Sequence, residues 1–228
     1  MLGTATCGLP ACINCNKEIS DAIFDSTFYP NLLTILLPFA ILAIVVAVIA
    51  AISTKKHKTR VLADPHHKIY SPVPLTAAAT VLGIGLGGFI DGIVFHQILQ
   101  WHEMLSNRIA STDYVGKSVN MFWDGIFHAF TLIVTITGVI LLWKLFQRKD
   151  IDRSGNLLSG GLIFGWGLFN ILEGIADHEL LKLHNVRELS TAKEAWNLGL
   201  LAFSAFLIIL GLLISKQKKG HDGGFSLT

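Results

Sequence analysis

Five apolar runs separated by short polar segments organise this chain of 228 residues. They cover roughly 31–53, 73–102, 119–143, 157–178 and 195–215. Each is close to or above the about 20 residues that a helix needs to cross a hydrocarbon core. The first contains no charged residue, and Pro72 and Pro74 stand where the second begins, a place proline suits. The pattern predicts an all-α polytopic membrane protein: a four-helix transmembrane bundle over 73–215 plus one extra N-terminal transmembrane helix over 31–53. Around these lie an N-terminal segment, 1–30, with all the cysteines, a basic linker, 54–72, and a disordered tail, 216–228. Residues 1–29 lack a basic start and the first apolar run is too long for a signal core, so no cleavable signal peptide is expected.

Composition agrees with the pattern. Hydrophobic residues make up 52% of the chain, charged residues only 15%, and the mean hydropathy is +0.56. That is a membrane composition, and its expected partner is the lipid bilayer. The net charge of +2 is too small to imply nucleic acid. The stretch "GIGLGG" at 83–88 looks like a phosphate loop, but it lies inside an apolar run with no strand before it, so close helix packing explains it better. Charge adds orientation. Lys55, Lys56, Lys58, Arg60 and Lys68 fall in one loop, Lys144, Arg148, Lys149 and Arg153 in the next on that side, and Lys216, Lys218 and Lys219 in the tail. The positive-inside rule then puts the C-terminus in the cytoplasm and the N-terminus outside, in a multi-pass protein of the plasma membrane.

Ionisable residues inside the runs are costly and point to function. "GFIDGIVFHQILQWHEML" (88–105), "WDGIFH" (123–128) and "LEGIADHELLKLH" (172–184) each set an acid before Gly-Ile and a histidine four or five residues after the acid. With this orientation Asp91, His96 and His102, then Asp124 and His128, then Glu173, Asp177, His178 and His184 all fall at one depth, toward the extracytoplasmic face. At 100° per residue, Asn120, Asp124 and His128 share a stripe, as do Asn170, Glu173, Asp177 and His184, with His178 to one side. Helical geometry turns His96 well away from Asp91. It puts His102 in line with Asp91 but about 16 Å along the axis, so the second run is expected to serve two sub-sites or two neighbours.

Acid beside histidine has two main uses: the carboxylate fixes the imidazole tautomer while the other nitrogen binds metal, or both bind metal directly. Imidazole suits copper, zinc and iron, and carboxylates shift the balance toward iron, manganese or zinc. The expected cofactor is a metal ion, copper or iron first and zinc next, held by these nine residues. The expected role is redox chemistry or metal handling for a partner enzyme. The blander reading of any one histidine is a hydrogen-bonded interface residue. Other readings stay open: an ion- or proton-conducting module using the same residues without metal, a haem b protein with two histidine ligands, or a zinc-dependent membrane hydrolase. So do a membrane partner complex and a homo-oligomer.

The motifs "GGFIDGIVFHQILQWHEMLS", "DGIFHA" and "EGIADHELLKLHNVR" resemble those of an uncharacterised family of bacterial four-helix membrane proteins, a domain of unknown function, over about residues 75–215. The resemblance implies a membrane fold and a polar site at Asp91, His96, His102, Asp124, His128, Asp177, His178 and His184, and no activity. This chain departs from the family pattern at Glu103, where a second histidine is usual, at Asn185, and at Asn197, where Trp-Asp is usual. Near the site, Glu103 and Asn197 would change its charge.

Residues 1–70 lie outside the resemblance. Cys7, Cys12 and Cys15 permit one disulfide and a spare thiol, or a soft-metal or redox Cys-x-x-Cys pair. "EISDAIFDSTFYPN" is mildly amphipathic and is expected at the membrane surface. His66 and His67 are expected to be solvated.

Overall fold

The structure, a computed structural model, describes residues 13, 16–63, 71–148 and 151–216. The expectations for Cys7, Cys12, Cys15, His66, His67 and the tail beyond 216 lie outside these residues. Among the described residues six helices follow in order: α1 (Lys17–Ile23), α2 (Phe28–Ala63), α3 (Val73–Ile90), α4 (Tyr114–Phe146), α5 (Gly155–Glu173) and α6 (Lys193–Ser215). At their C-terminal ends α3 and α5 widen into π-helical segments, Asp91–Ile98 and Gly174–Leu180. Five of the helices are long and apolar enough to span a bilayer, so the protein is an all-α polytopic membrane protein.

Two boundaries differ from the sequence expectation. The helix of the first run continues to Ala63, through the first part of the basic segment assigned to the linker. Nothing between 54 and 63 breaks a helix, and the first breaker is Pro65. The second difference is α1. The Asn16 side chain caps it by accepting from the Glu18 N–H at 3.0 Å. Its Ile19 and Ile23 are buried in the protein core, so its apolar face belongs to the bundle and not to the membrane surface. Phe28 continues this packing onto Trp123, with ring centroids 5.4 Å apart.

The bundle is built around the α3–α5 pair, with α4 beside α3 and α6 beside α5. Glycines let these backbones touch. A Cβ on Gly83 would strike the Leu162 carbonyl, and one on Gly165 would strike the Thr80 carbonyl. A Cβ on Gly138 would lie 2.6 Å from Leu82 Cα, and one on Gly211 would lie 2.6 Å from Phe164 N. α2 lies across the bundle, where Phe39 stacks on Phe169 at 5.2 Å and meets Phe127 edge-on at 5.5 Å.

These contacts come in pairs because the bundle contains a repeat. At one constant offset Gly83 corresponds to Gly165, Gly85 to Gly167, Asp91 to Glu173, Gly92 to Gly174, His96 to His178 and His102 to His184. At a second constant offset Trp123 and Asp124 correspond to Trp196 and Asn197, Thr131 to Ser204, and Gly138 to Gly211. Gly85 faces Thr135 just as Gly167 faces its counterpart Ile208. Gly92 faces His128 just as Gly174 faces its counterpart Leu201. The α3–α4 and α5–α6 hairpins are therefore two copies of one unit, related by a pseudo-two-fold axis between α3 and α5.

Candidate metal centre

The polar residues converge at one end of the bundle, where α3 and α5 end and α4 and α6 begin. The π segments make the convergence. A π turn closes hydrogen bonds between residues five apart, so it stacks residues five apart on one face. Leu99 N–H donates to Val94 O and Leu181 N–H to Ala176 O, each at 2.8 Å. This places His96 over Asp91, with His96 Nε2 3.0 Å from Asp91 Oδ2, and corrects the α-helical expectation that His96 points away.

Both segments then end alike. Trp101 N–H reaches back to Phe95 O at 2.9 Å and Leu183 N–H to Asp177 O at 2.7 Å. Gln100 and Lys182, each at φ 49°, take the left-handed conformation and turn the chain over. The turn folds His102 back to Asp91, where Nε2 lies 3.8 Å from Asp91 Oδ1, so the expected separation along one axis does not exist. His184 is returned in the same way to Glu173, at 3.6 Å. One cluster results in place of two sub-sites, while His96 and His102 do meet two different neighbours, Asp124 and the Val186 carbonyl.

The cluster fixes its own tautomers. His102 Nδ1 lies 2.8 Å from Val186 O and His184 Nδ1 lies 3.1 Å from Met104 O. A carbonyl can only accept, so both Nδ1 atoms carry the proton and both Nε2 atoms present lone pairs. The two bonds are exchanged by the pseudo-two-fold, since Met104 and Val186 are counterparts. His96 Nδ1 lies 2.8 Å from Asp124 Oδ1, and Asp124 also accepts the Met104 N–H at 2.9 Å. His96 Nε2 lies 3.0 Å from Asp91 Oδ2, so the His96 ring stands between two carboxylates.

At the centre, His96, His102, Glu173 and His184 each bring one donor atom to within 4.8 Å of all the others, and all four are buried. The His102 and His184 rings stack at 4.6 Å with 1° between their planes. Burial, reinforced by neighbouring imidazoles, holds His102 and His184 well below the usual histidine pKa, so both stay neutral at physiological pH. Beside them are Asp177, 1% exposed, with neither carboxylate oxygen hydrogen-bonded, and His178, 3% exposed, with neither ring nitrogen hydrogen-bonded among the described residues. Such orphaned polar atoms are uncommon in a folded interior.

The structure thus brings Asp91, His96, His102, Glu173, Asp177, His178 and His184 together, with Asp124 behind His96. His128 stands apart. Its Nδ1 is tied to the Asp124 carbonyl of its own helix at 2.6 Å, and its ring rests in the notch left by Gly92. Glu103 turns from the centre to Lys117 and Ser111. Asn197 accepts from Val186 N–H at 3.1 Å and donates to Glu179 and Asn185. Neither of these two family departures adds charge to the donor set. The backbone acceptors Val186 and Met104 have no side-chain signature, so sequence reasoning missed them. Asn120, which pins the 99–113 loop through Leu105 N–H at 3.0 Å, was visible only as a member of a stripe.

Over the cluster the two loops lock together. Glu188 N–H donates to Trp101 O at 2.9 Å, and the Arg187 guanidinium lies 5.2 Å from the Trp101 ring centroid and 5.4 Å from that of Trp196. The site is closed to bulk water by protein on this side.

No curated protein and no solved structure matches the chain. The family described as Predicted membrane protein (DUF2243) matches residues 78–218, which span both hairpins of the repeat and well over half of the chain, and the protein belongs to that family.

Proposed function

We propose that this protein holds a redox-active first-row metal ion, iron ahead of copper, at the extracytoplasmic end of its bundle, and serves redox chemistry or metal handling for a membrane partner. The observation that carries this reading is the aim of the donors. His102 and His184 have their Nδ1 protons held outward by the Val186 and Met104 carbonyls, His96 has its Nδ1 on Asp124, and these three imidazoles and the Glu173 carboxylate each bring one donor atom to within 4.8 Å of the others. Holding the far nitrogen is how proteins orient and strengthen histidine ligands. A carboxylate added to imidazoles, with no cysteine or methionine sulfur among these donors, favours iron over copper. Stacked side by side, His102 and His184 suit a small ion better than the two faces of a haem.

The test is the metal content of the full chain, purified in detergent and supplemented with Fe(II) without oxygen. His184→Ala and His102→Ala are each expected to lose bound iron at matched yield, and Asp124→Asn to weaken binding about 10- to 100-fold. A zinc-only preparation would turn the reading toward a Lewis-acid site.

One observation favours a second reading. Asp91, His96 and Asp124 form a carboxylate–imidazole–carboxylate string with contacts of 3.0 and 2.8 Å, which a shared proton would also satisfy. Wild-type protein that stays metal-free after supplementation, together with proton flux into liposomes that His96→Ala abolishes, would establish the relay instead.

A further inference from the structure

We infer that the site holds two metal ions, one on each half of the repeat: the first on Asp91, His96 and His102, the second on Glu173, His178 and His184. This inference rests on the metal reading above and adds to it the number and placement of the ions. Each half supplies one carboxylate and two imidazoles, the set that binds ferrous iron on one face and leaves the other open. The halves are related by the same pseudo-two-fold that pairs the glycine contacts and exchanges the His102–Val186 and His184–Met104 bonds.

A single ion does not account for the cluster. The four donors within 4.8 Å of one another leave out His178 and Asp91. Yet His178 is 3% exposed with both ring nitrogens unpartnered among the described residues, and Asp91 faces His96 at 3.0 Å and His102 at 3.8 Å. His178 lies on the far side of His184, with ring centroids 4.7 Å apart, while His96 lies beside His102 at 4.4 Å. The imidazoles thus run His96, His102, His184, His178 across the axis. An ion bound on the first half satisfies Asp91 and His96, and one on the second satisfies His178. Two-metal sites place their ions about 3.5–4 Å apart, a spacing that a carboxylate bridges. Asp177, with both oxygens unpartnered among the described residues, is a further ligand available to the second ion.

The halves are not equal. Asp124 holds His96 Nδ1, but its counterpart Asn197 is engaged with Val186, Glu179 and Asn185, so His178 has no carboxylate behind it. The second ion is held about 10- to 100-fold more weakly.

The experiment loads the full chain in detergent with Fe(II) without oxygen, removes excess by gel filtration and counts iron per chain. Two ions per wild-type chain are expected, with His178→Ala and His96→Ala each keeping one, and brief chelation removing the second ion first. One ion per wild-type chain, unchanged in His178→Ala and lost in His184→Ala, would overturn the pairing and leave the single-metal reading standing. No iron in the wild type would overturn both. Mn(II) loading of the wild type needs no variant. An exchange-coupled pair in its electron paramagnetic resonance spectrum supports the pairing, and the spectrum of an isolated ion at saturation overturns it.

Discussion

Histidines 102 and 184 show how one residue type is set to a task by its neighbours. Each is buried, each spends its Nδ1 proton on a backbone carbonyl, and burial holds each pKa below the ordinary value of about 6.5. The unfolded chain therefore binds protons that the native site refuses. The stability these residues contribute is fully present above about pH 6.5 and is lost as the pH falls from there through the native pKa values, by up to about 1.4 kcal/mol per pH unit for each imidazole. Metal-free protein is expected to melt at lower temperature from pH 7 to pH 5, and His102→Gln to show a shallower dependence. Thermal scans by tryptophan fluorescence check both, and a flat profile in the wild type would contradict the neutral state of these two imidazoles. Bound metal should move the whole loss to lower pH, since metal and proton compete for the same Nε2 lone pairs.

Among the elements, the α3–α5 pair sets the site. Its glycines bring two backbones into contact, and the π segments begin about two turns beyond the closest approach at Gly83 and Gly165. A methyl group at Gly83 or Gly165 would press on a backbone carbonyl, which cannot swing aside as a side chain can. Gly83→Ala and Gly165→Ala are expected to cost about 1–3 kcal/mol, as overpacking does, and to loosen metal binding although neither residue touches the site. Gly125→Ala and Gly199→Ala, which meet nothing within 4 Å, are expected to cost nothing and to stabilise by up to about 1 kcal/mol through helix propensity. Melting temperature and iron content across the four variants provide the check. Equal effects in all four would mean that helix propensity, and not the α3–α5 contact, sets the outcome.

For the whole molecule, the site occupies one end of the bundle, and Lys55, Lys56, Lys144, Arg153 and Lys216 occupy the other. On the positive-inside rule we propose that the site end is the extracytoplasmic one. An impermeant thiol reagent on intact, reduced cells is expected to label Cys7, Cys12 and Cys15, and labelling only after lysis would reverse the orientation. The five spans, their order and their membrane character were legible in the sequence, because a bilayer demands about 20 apolar residues whatever the packing. The acids and histidines of the cluster were legible too, since ionisable groups in such runs stand out. The repeat was present in the spacing of Gly83, Asp91, His96 and His102 against Gly165, Glu173, His178 and His184, but it is masked when each acid is read alone. Only the tertiary structure decided which donors meet. An ideal helix of 3.6 residues per turn separates Asp91 from both His96 and His102. The π turn adds the extra residue that realigns the first, and the left-handed turn at Gln100 returns the second. Both are backbone states selected by packing against the partner hairpin, through carbonyls such as Val186 and Met104 that every residue type possesses and no sequence pattern marks.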